Sequence, residues 1–261
     1  MKAGTSSLYR YIASHPDIIP SSIKETDFFK SNSDFNKGIK WYETLFQGNG
    51  KYAFEASPNY TKRNQFPHVP ARMHSVLPKI KLIYVLRDPI ERIKSHYIHN
   101  YANGREYQSF SEALERRNFG INNYIQTSKY YFQIQAFLEY YSDSQLLILE
   151  SEQLKKDPVK VLNHTFKFLK ISANYDMTLL EKRFHESSEK KRPSRLEQTL
   201  CQRTNNAYLL ASIRKMTKPL RQSIEQPILS PSDKEMLMNE ILPDIEKLRQ
   251  FTGLTFSDWS L

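Results

Sequence analysis

A continuous apolar run, Leu82 to Leu86, is the feature of the 261-residue sequence that most limits its possible folds. Branched and aromatic side chains without a polar position between them are typical of a parallel strand covered on both faces. Asp88 and Pro89 follow as a helix cap and a first helical residue. The stretch therefore predicts a strand, a tight turn and a helix, with Arg87 at the strand end where open α/β sheets bind ligands.

Similar segments along the chain indicate the fold class. Strands are also expected at 51–56 and 145–150, and helices at 34–46, 71–77, 111–118, 129–141 and 159–169. This alternation predicts an α/β fold with a doubly wound parallel sheet. We expect one domain over 1–261, with an α/β nucleotide-binding core at 1–175 and a mostly helical, basic part at 176–261. Residues 17–22 are expected to form a turn-rich link, and Trp259 to pack back on the body.

The start of the chain resembles an anion-binding loop that leads into a helix. Lys2 supplies a charge, and Gly4 lets a ligand approach the backbone. Thr5, Ser6 and Ser7 supply hydroxyls and unpaired amides at the first helical turn, which attracts anions. An ordinary helix cap with a chance lysine explains the stretch equally well. Because the lysine precedes the glycine, the Walker motif is absent and a nucleoside triphosphatase is not the first choice.

The charge of the chain narrows its partners without choosing one. A formal net charge of +10 favours nucleotides, acidic polysaccharides, nucleic acid or a membrane surface. Aromatic residues lie in core-like patterns rather than among the basic ones, which argues against a nucleic-acid partner that stacks on them.

The single Cys201 excludes an internal disulfide and a cysteine-based zinc site. Since no apolar run reaches roughly 18 residues, no membrane segment is expected.

Two motifs together resemble the sulfotransferase family, which transfers the sulfuryl group of 3′-phosphoadenylyl sulfate (PAPS). They are Lys2-Ala-Gly-Thr-Ser-Ser-Leu8, a P-loop-like phosphosulfate loop, and Arg87-Asp-Pro-x-x-Arg-x-x-Ser-x-Tyr97. Lys24-Glu-Thr-Asp-Phe-Phe29 and Glu55-Ala-Ser-Pro-Asn-Tyr60 resemble segments of the heparan-sulfate-type (carbohydrate) and related bacterial sulfotransferases. The likeness covers most of the chain and implies the family's fold and activity.

The resemblance implies a role for each matching residue. The loop would hold the 5′-phosphosulfate, Arg87 and Ser95 the 3′-phosphate, and the basic stretch around Arg192 would close over the nucleotide. Glu25 would be the general base that takes the acceptor's proton, and Lys24 would orient the sulfuryl group or Glu25. The implied catalytic residues are Glu25, Lys2 and Lys24. The implied cofactor-binding residues are Lys2, Ala3, Gly4, Thr5, Ser6, Ser7, Arg87, Ser95 and Arg192.

The implied activity is a PAPS-dependent sulfotransferase that needs no metal. Its acceptor would be a hydroxyl of a saccharide or glycolipid, and alignment and charge stabilisation on the leaving group would supply most of the rate. Two positions depart from the family. Ala56 stands where the glycosaminoglycan enzymes commonly carry a lysine near the acceptor. Only Met1 precedes Lys2, where the family has an apolar strand, so the sheet is expected to lack its first strand and to leave neighbouring edges unpaired.

Other functions fit parts of the same pattern. A nucleotide kinase would need Mg²⁺ and a Walker lysine, and a non-catalytic binder of nucleic acid or acidic glycan would use only the positive charge. A catalytically inactive or truncated family member would bind a nucleotide or polyanion without turnover, and the basic stretch could be a solvated face. His15, His96 and His99 are rival bases. We expect a cytoplasmic location, with the Golgi lumen as the alternative if an upstream anchor was lost.

Overall fold

The structure, a computed structural model that describes residues 3–118, 120–174, 191–204 and 206–261, contains two separate pairs of short parallel strands. Strand β1 (Ile18–Pro20) pairs with β2 (Tyr52–Phe54), and β3 (Leu82–Leu86) pairs with β4 (Leu146–Glu150). The predicted strands and their parallel direction are confirmed. The turn-rich link predicted at 17–22 is wrong, because β1 lies there. Its sequence, Ile-Ile-Pro, has no polar alternation and ends in a proline, so it lacks the usual signal of a strand.

Helices connect and cover the strands. The first are α1 (Thr5–Ala13), α2 (Asn32–Phe35), α3 (Ile39–Glu43), α4 (Val69–Val76) and α5 (Pro89–Ala102). They are followed by α6 (Phe110–Glu115), α7 (Asn123–Gln126), α8 (Tyr130–Leu138), α9 (Ser151–Lys156) and α10 (Pro158–Leu169). The single helix predicted at 34–46 is wrong. It is interrupted at Gly38, whose φ of 83° belongs to the left-handed region.

The C-terminal part is mostly helical and returns to the body. It contains α11 (Arg195–Gln202), α12 (Ala207–Thr217), α13 (Pro231–Thr252) and an antiparallel pair of strands, β5 (Lys191–Arg192) and β6 (Gln222–Ser223). Trp259 is buried and stacks on Phe256 at 4.2 Å between ring centroids, which confirms its expected packing. The division predicted after residue 175 falls on 175–190, outside the described residues, and stays a prediction. None of the described helices is long and apolar enough to cross a membrane.

A cavity of about 820 Å³ lies between the two strand pairs. Residues of β2 and β3 line it, together with apolar side chains of α1 and α4 such as Leu8, Ile12, Met73 and Val76. Among the described residues, no strand pairing joins β1–β2 to β3–β4. In the described structure the two strand pairs are therefore separate, and the expectation that the sheet lacks its first strand stays a prediction.

The turn after β3 depends on Asp88, as the sequence predicts. Its Oδ1 accepts hydrogen bonds from the amides of Ile90 at 2.8 Å and Glu91 at 3.1 Å, and its Oδ2 accepts from the amide of Ser260 at 2.6 Å. We expect Asp88→Ala to lower the free energy of unfolding by about 1–2 kcal/mol, measured by urea denaturation, since a cap and a tail anchor are both lost. Asp88→Asn keeps one acceptor for the helix and should lose less. Equal losses in the two variants would contradict this explanation.

Candidate active site

Two backbone amides at the start of α1 make no hydrogen bond to other described residues. Gly4 has a φ of 74°, and its carbonyl accepts from the amide of Ser7 at 3.0 Å. Within the described residues, the amides of Thr5 and Ser6 have no protein acceptor. These donors add to the positive end of the helix dipole, so this end of α1 can bind an anion. The charge predicted at Lys2 lies outside the described residues.

The loop lies at the carboxyl ends of β3 and β4. Ala3 lines a small cavity together with Val85 of β3 and Tyr130 of α8. A Cβ added to Gly4 would be 3.8 Å from Ser151, the first residue of α9 after β4. Ligands bind at this edge in open α/β sheets. The structure thus brings the predicted loop to the predicted edge.

Lys24 and Glu25 lie beside the first turn of α1. The Lys24 ammonium donates to the hydroxyl of Ser6 at 3.2 Å and lies 3.6 Å from the Glu25 carboxylate. The Glu25 side chain is 51% exposed and that of Lys24 29%. A carboxylate that is open to solvent and adjacent to the anion-binding turn can accept a proton from a ligand that reaches this cleft.

The end of β2 holds the segment that carries Lys24 and Glu25. The amide of Ala56 donates to the carbonyl of Lys24 at 3.0 Å, and the amide of Asp27 donates to the hydroxyl of Ser57 at 3.0 Å. Phe29 is fully buried, as expected for the aromatic pair of this segment. The exposed Glu25 therefore projects from backbone that is fixed on both sides.

Glu55 stabilises the strand end that holds the Glu25 segment, a role that the sequence analysis missed. Its carboxylate accepts hydrogen bonds from the hydroxyls of Ser57 at 2.7 Å and Tyr42 at 3.3 Å, which links β2 to α3. Burial raises the pKa of Glu55, and the hydrogen bond from Ser57 acts against that rise. The sequence does show a carboxylate at the end of a strand, two residues before a serine. It does not show that this carboxylate is buried, because the residues that cover it are distant in sequence.

Arg87 and Ser95 lie on the strand–turn–helix unit of β3 and α5. Arg87 directly follows β3, its side chain is 17% exposed, and it forms an ion pair with Glu91 at 3.4 Å. Its carbonyl accepts from the Tyr130 hydroxyl at 2.7 Å, which fixes the turn. Ser95 is buried on α5. A guanidinium and a hydroxyl on one rigid unit can bind a phosphate group.

Arg192 contacts the far end of α5. Its guanidinium lies 4.0 Å from the centroid of the Tyr101 ring and donates to the Tyr101 hydroxyl. This contact connects the basic C-terminal part to the helix that carries Ser95. The neighbouring Lys190, which belongs to the basic stretch predicted to close over the nucleotide, lies outside the described residues.

Two of the three histidines named as rival bases, His15 and His96, are less suited than Glu25. Both ring nitrogens of the buried His15 are engaged, Nδ1 with the amide of Asp17 at 3.0 Å and Nε2 with the carbonyl of Ser172 at 2.8 Å. Burial, followed by the charge of Arg92, holds the pKa of His96 well below its usual range. Neither side chain is accessible to an acceptor.

Among curated proteins, the chain is similar to heparan sulfate enzymes. It is 31% identical over 194 residues to the mouse bifunctional heparan sulfate N-deacetylase/N-sulfotransferase 4, with 67% of this chain and 22% of that protein covered. It is 30% identical over 200 residues to the human bifunctional heparan sulfate N-deacetylase/N-sulfotransferase 3, with 67% of this chain and 22% of that protein covered. The chain thus spans about a fifth of the length of these relatives. The expected cytoplasmic location is wrong, because the similarity to these heparan sulfate N-sulfotransferases contradicts it.

Solved structures show the same fold. A sulfotransferase from Alicyclobacillus acidocaldarius superposes with a TM-score of 0.69 at 24% identity, covering 100% of this chain and 95% of that one. The mouse sulfotransferase SULT7A1, crystallised with PAP, superposes with a TM-score of 0.53 at 16% identity, covering 97% and 85%. The α/β class predicted from the sequence is therefore the sulfotransferase fold.

The sequence profile of the Sulfotransferase domain family matches residues 1–218. The match includes the loop before α1, the segment with Lys24 and Glu25, and the unit with Arg87 and Ser95. It extends over most of the chain, as the two motifs predict. The chain belongs to the sulfotransferase family and is a sulfotransferase enzyme.

Proposed function

We propose that this sulfotransferase moves the sulfuryl group of PAPS to a saccharide acceptor. The observation that carries the proposal is the position of the Lys24 ammonium, within 3.2 Å of the Ser6 hydroxyl and 3.6 Å of the Glu25 carboxylate. One cation thereby connects the anion-binding turn with a candidate base. Donor and acceptor would meet at this point.

The residues present fit a nucleotide with two separate anionic ends. The amides of Thr5 and Ser6 face one end without protein partners in the described structure, and they would hold the 5′-phosphosulfate. Arg87 and Ser95 would hold the 3′-phosphate, and Arg192 would approach the nucleotide from the C-terminal side. When bound, PAPS supplies the sulfuryl group and a phosphate leaving group. Lys2 belongs to the same loop and stays a predicted ligand.

The chain's own groups would perform alignment and proton transfer. As the acceptor atom bonds to sulfur and the bond between sulfur and the 5′-phosphate oxygen breaks, Glu25 would take the acceptor's proton. Lys24 and the loop amides would stabilise the negative charge that develops on the departing phosphate oxygen. The hydrogen bonds from the end of β2 keep Glu25 in position.

The names of the relatives support a saccharide acceptor of the heparan type. The sequence predicts a hydroxyl as the acceptor group, whereas the word N-sulfotransferase indicates an amine. The two possibilities can be distinguished by testing one polysaccharide in two forms. We expect radiolabelled sulfate to enter N-deacetylated, unsulfated heparan. Labelling of the N-deacetylated form alone would identify an amine as the acceptor, and equal labelling of the fully N-acetylated form would identify a hydroxyl. Labelling of neither form would contradict a heparan-type acceptor.

The donor is tested by calorimetric titration with 3′-phosphoadenosine 5′-phosphate (PAP), beside AMP and ATP and without metal. We expect PAP to bind with a micromolar Kd, and AMP and ATP at least roughly 10-fold more weakly, because a charge-assisted phosphate contact contributes about 1.5–3 kcal/mol. Equal binding of the three nucleotides would contradict paired phosphate sites. Turnover of ATP that depends on Mg²⁺ would favour a kinase. The comparisons give no support to an inactive binder.

A further inference from the structure

Two cationic side chains line one small cavity without an acidic partner. Lys62 and Arg92 both border it, and among the described residues neither forms an ion pair. The cavity has a volume of about 10 Å³, which is room for about one water or one oxygen atom. Buried charges are ordinarily paired, so the chemistry of this lining is suited to an anionic oxygen.

Arg92 forms the fixed side of the cavity. It is 3% exposed, and its guanidinium donates to the Ser128 hydroxyl at 2.9 Å and to the Tyr124 carbonyl at 3.3 Å. Both acceptors are neutral, so they hold the side chain without neutralising its charge. The field of Arg92 therefore extends into the cavity.

Lys62 forms the adjustable side. It ends the short 3₁₀ helix Pro58–Thr61 after β2, is half-buried, and makes no side-chain hydrogen bond with described residues. Burial and the Arg92 charge lower the pKa of Lys62, whereas Asp27 and Glu25 act in the opposite direction. An anion in the cavity would oppose that lowering and would offset the cost of holding two like charges close together.

The cavity borders the loop, and its lysine is close enough to the candidate base to feel that charge. Ala3 of the loop forms part of its wall, and Glu25 is among the charges that act on Lys62. The 3₁₀ helix that carries Lys62 follows the same strand end that holds the Glu25 segment. Lys62 therefore lies in the neighbourhood through which a group would pass from the loop to an acceptor beside Glu25.

We propose that Lys62 is a further substrate-positioning residue, whose ammonium donates to a non-bridging oxygen of the sulfuryl group with Arg92 behind it. This inference rests on the proposed function. Lys62 would hold the sulfuryl group in line between the loop and the acceptor while the sulfur–phosphate oxygen bond breaks and the bond to the acceptor forms. Its charge would also stabilise the oxygens during transfer.

The test compares Lys62→Gln with the wild-type chain, using PAPS and PAP as probes because they differ only in the sulfuryl group. We expect the variant to bind PAP within about 2-fold of wild type and to bind PAPS roughly 10- to 100-fold more weakly, as for one lost charge-assisted hydrogen bond. Turnover should fall by a similar factor. Lys62→Arg should restore most of the PAPS affinity.

Lys30→Gln is the matched control, because it removes the same charge from the same neighbourhood. The Lys30 ammonium is already held by Asp27 at 2.8 Å, so its loss should not change the ratio of PAPS to PAP affinity. Equal weakening of both nucleotides in Lys62→Gln, or no change in either, would overturn the role of Lys62. A well-folded wild-type chain that does not bind PAP would instead overturn the proposed function.

Discussion

Replacing Glu25 with glutamine is expected to lower kcat roughly 10²- to 10⁴-fold while PAP affinity stays within about 2-fold, since the amide cannot accept the acceptor's proton. The shape of the side chain is kept, and its carboxylate lies beside, not within, the turn that would hold the phosphosulfate. Sulfate transfer from labelled PAPS and calorimetry with PAP measure the two quantities separately. A loss confined to kcat identifies proton transfer rather than nucleotide binding.

Glu246→Gln is the control for this experiment. The side chains of Glu246 and Glu25 are both 51% exposed, and each lies beside a cation of its own segment. Glu246 lies on α13, away from the loop, so its variant should keep wild-type kcat. Normal turnover by Glu25→Gln would mean that another group accepts the proton.

Replacing Arg87 with alanine is expected to raise the Kd for PAP roughly 100-fold, because a charge-assisted contact to the 3′-phosphate is lost. The Kd for AMP, which has no 3′-phosphate, should change little. The ratio of the two affinities should therefore fall towards one. Calorimetric titration of the variant with both nucleotides measures that ratio directly.

Arg63→Ala controls for the loss of a partly buried arginine. Arg63 forms an ion pair with Glu139 at 3.4 Å, the same distance as between Arg87 and Glu91, and it lies outside the predicted phosphate sites. PAP affinity should be unchanged in this variant. If Arg87→Ala weakened AMP and PAP equally, Arg87 would support the fold of the site rather than read the 3′-phosphate.

The parts of the fold that the sequence predicts are those with strong local signals. The uninterrupted run of β3 and the cap at Asp88 fix their structure within a few neighbouring residues, and both are confirmed. Strand β1 could not be recognised because its two adjacent isoleucines do not alternate with polar residues and a proline ends it. The helix predicted at 34–46 failed because a period of apolar residues does not reveal the left-handed backbone at Gly38.

The candidate site divides in the same way. Residues within contiguous motifs, such as Glu25 and Arg87, could be named from the sequence alone. Lys62 and Arg92 could not be connected, because they meet only when the end of β2 is folded against α5. Glu55 likewise acquires its supporting role from burial by residues of another helix. Which residues become neighbours at the edge of the sheet depends on the order of the strands and helices in space. The spacing of residues within one segment does not reveal that order.

The cavity between the strand pairs has a mechanical consequence for turnover. The pair β1–β2 carries the Glu25 segment, whereas β3 and α5 carry Arg87, and no strand hydrogen bonds in the described structure couple the two. One half could shift against the other without breaking a strand-to-strand hydrogen bond of the described structure, and the gap between Glu25 and Arg87 would shift with it. Because misplacement by about 1 Å can cost about 100-fold in rate, catalytic precision in this chain is governed by how its interior is filled.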